Sequence, residues 1–153
     1  MVMTADQSLS DIAAFITERI EAVIPSQLQY VDPIVSHLAD HLARFGYADS
    51  DSNVRVALHE AITNAIRHGN QLDANKKVTI EVELDQRQAV FTITDEGPGF
   101  DPSDVCDPTE GENLFRDCGR GLLLIRHLMN EVSYNQRGNQ VIMIKKSPRV
   151  EPS

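Results

Sequence analysis

Glu60, Asn64 and His68 stand four residues apart within Leu58–Asn70, LHEAITNAIRHGN. The residue types matter as much as the spacing. A carboxylate accepts a proton from a hydroxyl or a water, and a neutral amide oxygen ligates a hard cation without competing for that proton. Ala57, Leu58, Ala61, Ile62, Ala65 and Ile66 form an apolar stripe, and positions four apart advance only about 40° around a helix. The polar row therefore borders the buried face, where it can line a cleft, while His59 and Thr63 point further round to solvent. An ordinary polar helix rim is the alternative for this row taken alone. Chemistry assigns His68 no task beyond bracing the helix end.

Two further stretches carry ligand-binding chemistry. TDEGPGF places Asp95 at the end of a strand, followed by Gly97 and Gly99. A carboxylate fixed there accepts a hydrogen bond from an exocyclic amine such as adenine N6, and glycines let backbone approach a ligand or take a positive φ. A plain tight turn is the alternative. The spacing is neither the G-x-G-x-x-G of a dinucleotide-binding turn nor the G-K-[ST] ending of a P-loop. In CGRGLLLIRHL, Gly119, Arg120 and Gly121 sit where a helical pattern restarts. A glycine-rich helix N-terminus offers free N–H groups and the positive dipole end to phosphate, and Arg120 adds charge-assisted donors. A flexible loop leading into a helix is the alternative.

These groups must be held by the elements around them. AFITERIEAVIP reads as an edge strand ended by Pro25, with Ser26 as an N-cap for the next helix. Val31, Ile34, Val35, Leu38, Leu42 and Phe45 repeat at helical spacing, with Pro33 in the first turn and Gly46 as the stop. The helix bearing Glu60 and Asn64 runs from about Asp51 to His68 and stops at Gly69. KKVTIEVELD and QAVFTITDEG alternate with a period of two, which makes two half-buried strands joined at DQRQ. From Gly97 to Gly119 no period holds, the pattern of a lid or a disordered loop. GRGLLLIRHLMN is helical, and EVSYNQ and NQVIMIKK are strands around Arg137–Gly138. The fold class is therefore an α+β two-layer sandwich, a mixed, mostly antiparallel sheet with helices on one face. Residues 1–10 and 148–153 read as loose ends of a single domain over 11–147.

The chain has 153 residues, enough for one domain with a real core. Its formal net charge of -9 repels nucleic-acid phosphates and anionic membranes, so neither is an expected partner. A nucleotide remains compatible, because a cation and a few local donors neutralise phosphates inside a pocket. MVMTADQSLSDIAAF lacks the form of a signal peptide, and LLLI at Leu122–Ile125 is too short to span a bilayer. Cytoplasmic location is the expectation. Cys106 and Cys118 are twelve positions apart without a second pair, which reads as two reduced thiols, with a disulfide as the alternative. His37 and His41, at i, i+4 spacing without a third ligand, read as a solvent-facing pair rather than a metal site.

The three constellations occur in one order along the chain, and there the sequence resembles the GHKL (Bergerat-fold) ATPase and kinase superfamily. Within it, the chain is most similar to stand-alone bacterial anti-sigma factor serine/threonine kinases. HEAITNAIRHGN matches that family's N box, DEGPGF its first glycine box, and GRGLLLIRHLMNEV its second, and the likeness runs from about Ser26 to Lys146. The resemblance implies a histidine kinase-like ATPase domain that binds ATP and Mg²⁺. It implies Glu60 as the general base, Asn64 as the metal ligand, and Asp95 as the adenine acceptor, with Gly97 and Gly99 shaping that pocket. Gly119, Arg120, Gly121 and Leu122 would lie along the phosphates. The implied partners are an anti-sigma antagonist as phosphoacceptor and a sigma factor or similar regulator. A homodimer through the sheet edge or the N-terminal segment is implied as well. Two departures stand out: family members often carry a Thr in the last strand, where this chain has NQVIMIKK, and the stretch Phe100 to Cys118 is acidic. A nucleotide-gated binding module without kinase activity is the rival reading, and a nucleotide-free adaptor a further one.

Overall fold

The computed structural model describes residues 12, 14–47, 51–99 and 120–147. Strand β1 (Glu18–Pro25) leads through a 3-10 turn (Leu28–Tyr30) into α1 (Val31–Arg44). Helix α2 (Asp51–Asn64) continues as a π turn over Ala65–Gly69. After it come β2 (Lys77–Leu84), β3 (Gln88–Thr94), α3 (Arg120–Leu128), β4 (Glu131–Tyr134) and β5 (Gln140–Lys146). The sheet order is β1-β2-β3-β5-β4, and each of the four pairings is antiparallel. The two-layer α+β architecture is the expected one, and among the described residues the sheet is antiparallel throughout.

Alternation decides which face the helices cover. Val78, Ile80, Val82 and Leu84 of β2 and Phe91 and Ile93 of β3 are buried, and Val141 and Met143 of β5 join them. Against this face pack Val31, Val35, Leu38 and Leu42 of α1, Leu58 and Ile62 of α2, and Ile125 of α3. Burying each such side chain contributes about 1.5–3 kcal/mol. The opposite face carries Glu81, Glu83, Thr92 and Val90 and stays open. The DQRQ turn closes as expected: the Asp85 carboxylate accepts hydrogen bonds from the N–H groups of Arg87 (2.7 Å) and Gln88 (3.0 Å).

Helix α1 stops at Gly46, whose φ of 88° suits glycine. Tyr47 comes next, fully buried, and its hydroxyl donates to the Asp85 carbonyl at 3.0 Å. That bond pins the end of α1 beneath the β2–β3 hairpin, and burial pushes the phenol's pKa up.

Three local expectations are corrected. Ser26 does not cap α1, which begins after an intervening 3-10 turn and has Tyr30 at its N-cap position. Its hydroxyl instead donates to the Lys76 carbonyl at 2.7 Å, because the chain there still runs beside β2. Thr63 is only half-exposed, and its hydroxyl does not reach solvent. Helix α2 is flanked by α1 and α3, and Thr63 Oγ1 is buried without a hydrogen-bond partner among the described residues. Of the two histidines, His37 is exposed as expected, whereas His41 is half-buried and pairs through Nδ1 with Glu18 Oε1, tying α1 to β1, and the two rings meet edge-on with centroids 4.8 Å apart. Among the described residues, no group of three or more His, Cys, Asp or Glu side chains could hold a metal ion, and no helix is long and apolar enough to cross a membrane.

Candidate functional site

Asn64 sits on the last turn of α2, half-buried and bordering a small cavity. Ala61 lines the cavity beside it, Ile93 comes from β3, Ile125 from α3, and Asn139 and Val141 from the start of β5. The volume is about 40 Å³, near that of one water. A purine would therefore have to widen it. Tyr134 also lines it, and burial pushes its phenol up to about 12, so the ring keeps its proton at neutral pH.

Glu60, one turn earlier, faces elsewhere. It lines an open groove of about 520 Å³ between α1 and α2, with Asp32, Val35, Arg55, Val56 and His59. Val56 is 43% exposed there, and His59 Nε2 lies 3.4 Å from Asp32 Oδ1 across the two helices. The four-residue row is thus split between two spaces. His68 leaves the row altogether: it lies in the π turn, whose wider i→i+5 pattern breaks the four-residue register, and it is exposed.

The end of β3 packs against that π turn at very short range. A Cβ on Gly69 would lie 2.3 Å from Asp95 Oδ2, and one on Gly97 would lie 1.9 Å from the Gly69 carbonyl oxygen. Gly99 has φ of +81°, and a Cβ there would meet the Arg137 carbonyl oxygen at 2.0 Å. So Gly97 and Gly99 are required by contact with backbone, Gly99 also by its φ, and Gly69 leaves room for the Asp95 carboxylate. Asp95 is gripped on several sides. Its carboxylate accepts from Gly97 N–H at 2.8 Å, its N–H donates to the Asn139 carbonyl at 2.9 Å, and its carbonyl accepts from Asn139 Nδ2 at 3.1 Å. Burial raises the Asp95 pKa, and the Gly97 hydrogen bond and the nearby charges of Arg137 and Lys76 oppose that rise.

A carboxyl with a raised folded-state pKa adds stability when protonated and loses it as pH climbs through the folded value. Charged Asp95 therefore costs the ligand-free fold some stability at neutral pH. Asp95→Asn is expected to raise Tm slightly at about pH 7, with the gain vanishing below the ordinary carboxylate pKa of about 3.9. Melting curves at the two pH values check this, and a lower Tm at neutral pH would contradict it.

Residues 100–119 lie outside the described residues, and with them Gly119 and the lid expected there. Helix α3 begins at Arg120, where the glycine-rich start was expected, so Arg120, Gly121 and Leu122 occupy its first turn. Where the Thr is missing, the last strand opens with Gln140. Its amide donates to Thr94 Oγ1 at 2.9 Å, its cross-strand neighbour. Gln140 also lines the Asn64 cavity.

Asn70, the last residue of the opening motif, was not singled out by its sequence. It is fully buried, donates from Nδ2 to Ser26 Oγ (2.7 Å) and the Lys77 carbonyl (3.0 Å), and accepts at Oδ1 from Glu96 N–H (2.7 Å). Its position after an N-box glycine was the available signal, but a lone polar residue after a helix stop is ordinary.

Residues 24–145 match the histidine kinase-like ATPase domain family. The chain is 32% identical over 134 residues to serine-protein kinase RsbW of Bacillus subtilis, covering 82% of this chain and 84% of that protein. It is 30% identical over 135 residues to serine-protein kinase RsbW of Staphylococcus aureus, covering 82% and 85%. The RsbW of Oceanobacillus iheyensis is 29% identical over 134 residues, covering 83% and 85%.

Proposed function

Since the chain belongs to the histidine kinase-like ATPase family, and within it to the serine-protein kinases it matches over most of its length, we propose that it is an ATP-dependent serine/threonine kinase of the anti-sigma type. It phosphorylates an anti-sigma antagonist and holds a sigma factor or similar regulator by direct binding. The observation that carries this reading is the match of residues 24–145 to the histidine kinase-like ATPase domain, and the small cavity beside Asn64, which Ile125 of α3 also lines, supports it.

The residues present suit a magnesium nucleotide. Asn64 offers a neutral amide oxygen at the cavity wall, the right donor for Mg²⁺. Asp95 presents a fixed carboxylate to an exocyclic amine, Gly97 keeps its turn close to the π turn, and Gly99 keeps it close to Arg137. The N–H groups of Arg120, Gly121 and Leu122, at the positive end of α3, would be the donors to phosphate. When bound, Mg-ATP supplies the transferable phosphoryl group and the charge that stabilises its transfer. Glu60 takes the proton from the acceptor hydroxyl, which must reach it from the α1–α2 groove that it lines. A protein substrate can approach from that side while nucleotide holds the other.

The protein works in the cytoplasm and forms a homodimer. Support for the dimer is the position of β1 at the edge of the sheet among the described residues, where Val23 is 53% exposed and the preceding Phe15 89%. Titration calorimetry with ATP tests the nucleotide site. Wild type is expected to bind tightly only with Mg²⁺ present, and Asn64→Ala to lose roughly tenfold or more, the cost of a missing metal contact. Absence of heat in wild type, with and without Mg²⁺, would leave a nucleotide-free adaptor.

A further inference from the structure

We propose that Asn70 is a positioning residue for recognition of the nucleotide base, acting through the peptide that joins Asp95 to Glu96. The proposal rests on the base-binding role given to Asp95, but the tether itself does not. That peptide is held from both sides: Asn139 Nδ2 donates to the Asp95 carbonyl, and Asn70 Oδ1 accepts from the Glu96 N–H. Asn139 belongs to the same sheet as Asp95, through the β3–β5 pairing. Asn70 belongs to the other side of the site, where α2 ends. It is the link between the helix that carries Asn64 and the strand end that carries Asp95.

The chemistry of the link is specific to asparagine. Its amide must accept from one side and donate two hydrogen bonds on the other, to Ser26 Oγ and the Lys77 carbonyl. Aspartate would turn an acceptor toward the Lys77 carbonyl and bury a charge. Serine is too short to span both. The backbone around Asn70 is shaped to deliver it there. Its N–H donates five residues back to the Ala65 carbonyl at 2.8 Å, and Leu72 N–H reaches back to Ile66 at 2.8 Å. Gln71 and Leu72 both take positive φ, 54° and 60°, a conformation disfavoured for residues with a Cβ. The fold keeps two strained residues in a row so that a buried amide meets the Asp95 turn, and Gly69 gives up its Cβ so that the Asp95 carboxylate lies against it.

The test uses the full chain and the variants Asn70→Ala and Ser26→Ala, the second removing only one of the three bonds. Ile80→Val serves as a variant that loses stability without touching the turn. Amide hydrogen exchange without nucleotide reads the tether directly: Glu96 N–H is expected to exchange at least tenfold faster in Asn70→Ala, and less so in Ser26→Ala. Calorimetry with ATP, GTP and tripolyphosphate reads the function. The ATP-over-GTP preference should fall at least tenfold in Asn70→Ala, with tripolyphosphate affinity unchanged, and stay at the wild-type value in Ile80→Val. Unchanged Glu96 exchange, or an unchanged ATP-over-GTP ratio in Asn70→Ala, overturns the proposal. If Asn70→Ala does not fold, the same two readings on Ser26→Ala decide it. Wild type without any preference between ATP and GTP would instead refute the role given to Asp95, and Glu96 exchange would still judge the tether.

Discussion

Gly97→Ala is expected to weaken ATP binding by roughly a hundredfold or more, the scale on which a misplacement of about 1 Å acts in a preorganised site. The added Cβ would stand 1.9 Å from the Gly69 carbonyl oxygen and 3.0 Å from Asp95 Oδ1. The first atom is backbone and cannot rotate away. Either the π turn or the end of β3 must move by more than an ångström, and they adjoin Asn64 and Asp95, the groups proposed to bind nucleotide. Overpacking of this kind also costs about 1–3 kcal/mol of stability, so binding is to be measured well below the variant's Tm. An affinity within threefold of wild type would mean that the Gly69–Gly97 contact is not part of the site.

Glu60→Gln is expected to lower the rate of phosphoryl transfer by roughly 10²–10⁴-fold, the usual worth of a general base. The amide keeps size and polarity and loses the ability to take a proton. Because Glu60 lines the α1–α2 groove rather than the Asn64 cavity, ATP affinity should stay within about threefold, an uninvolved side chain's typical effect. Single-turnover transfer and nucleotide titration, run on the same preparation, separate the two quantities. A parallel fall in both would place Glu60 on the nucleotide instead.

Much of this architecture is legible in the sequence because it repeats locally. Val78, Ile80, Val82 and Leu84 declare a strand and its buried face by a period of two. The stripe from Ala57 to Ile66 declares the face of α2. What is not legible depends on contacts distant in sequence. The hydrogen bonds of Asn70 reach partners 7, 26 and 44 residues away, and no local period announces them. Ser26 looks like an N-cap for the same reason: its partner Lys76 lies 50 residues on. Thr63 reads as solvent-facing on a helical wheel, but a wheel cannot say that α2 has neighbours on two sides. The row Glu60–Asn64–His68 presumes uniform α-helical geometry, and the π turn over Ala65–Gly69 removes its last member. The glycines were legible as a motif, whereas their physical reason, backbone or carboxylate within 3 Å of each absent Cβ, required the fold.

Transfer of phosphate to a protein hydroxyl is tested most directly with γ-labelled ATP. Wild-type chain, Mg²⁺, labelled ATP and the purified antagonist protein from the same genome are mixed, and the product is mapped by mass spectrometry. The predicted result is label on one serine or threonine of the antagonist, approaching one phosphate per molecule, and its loss with Glu60→Gln. An antagonist that binds the chain in an ATP-dependent way yet stays unlabelled would contradict kinase activity and leave a nucleotide-gated binding module.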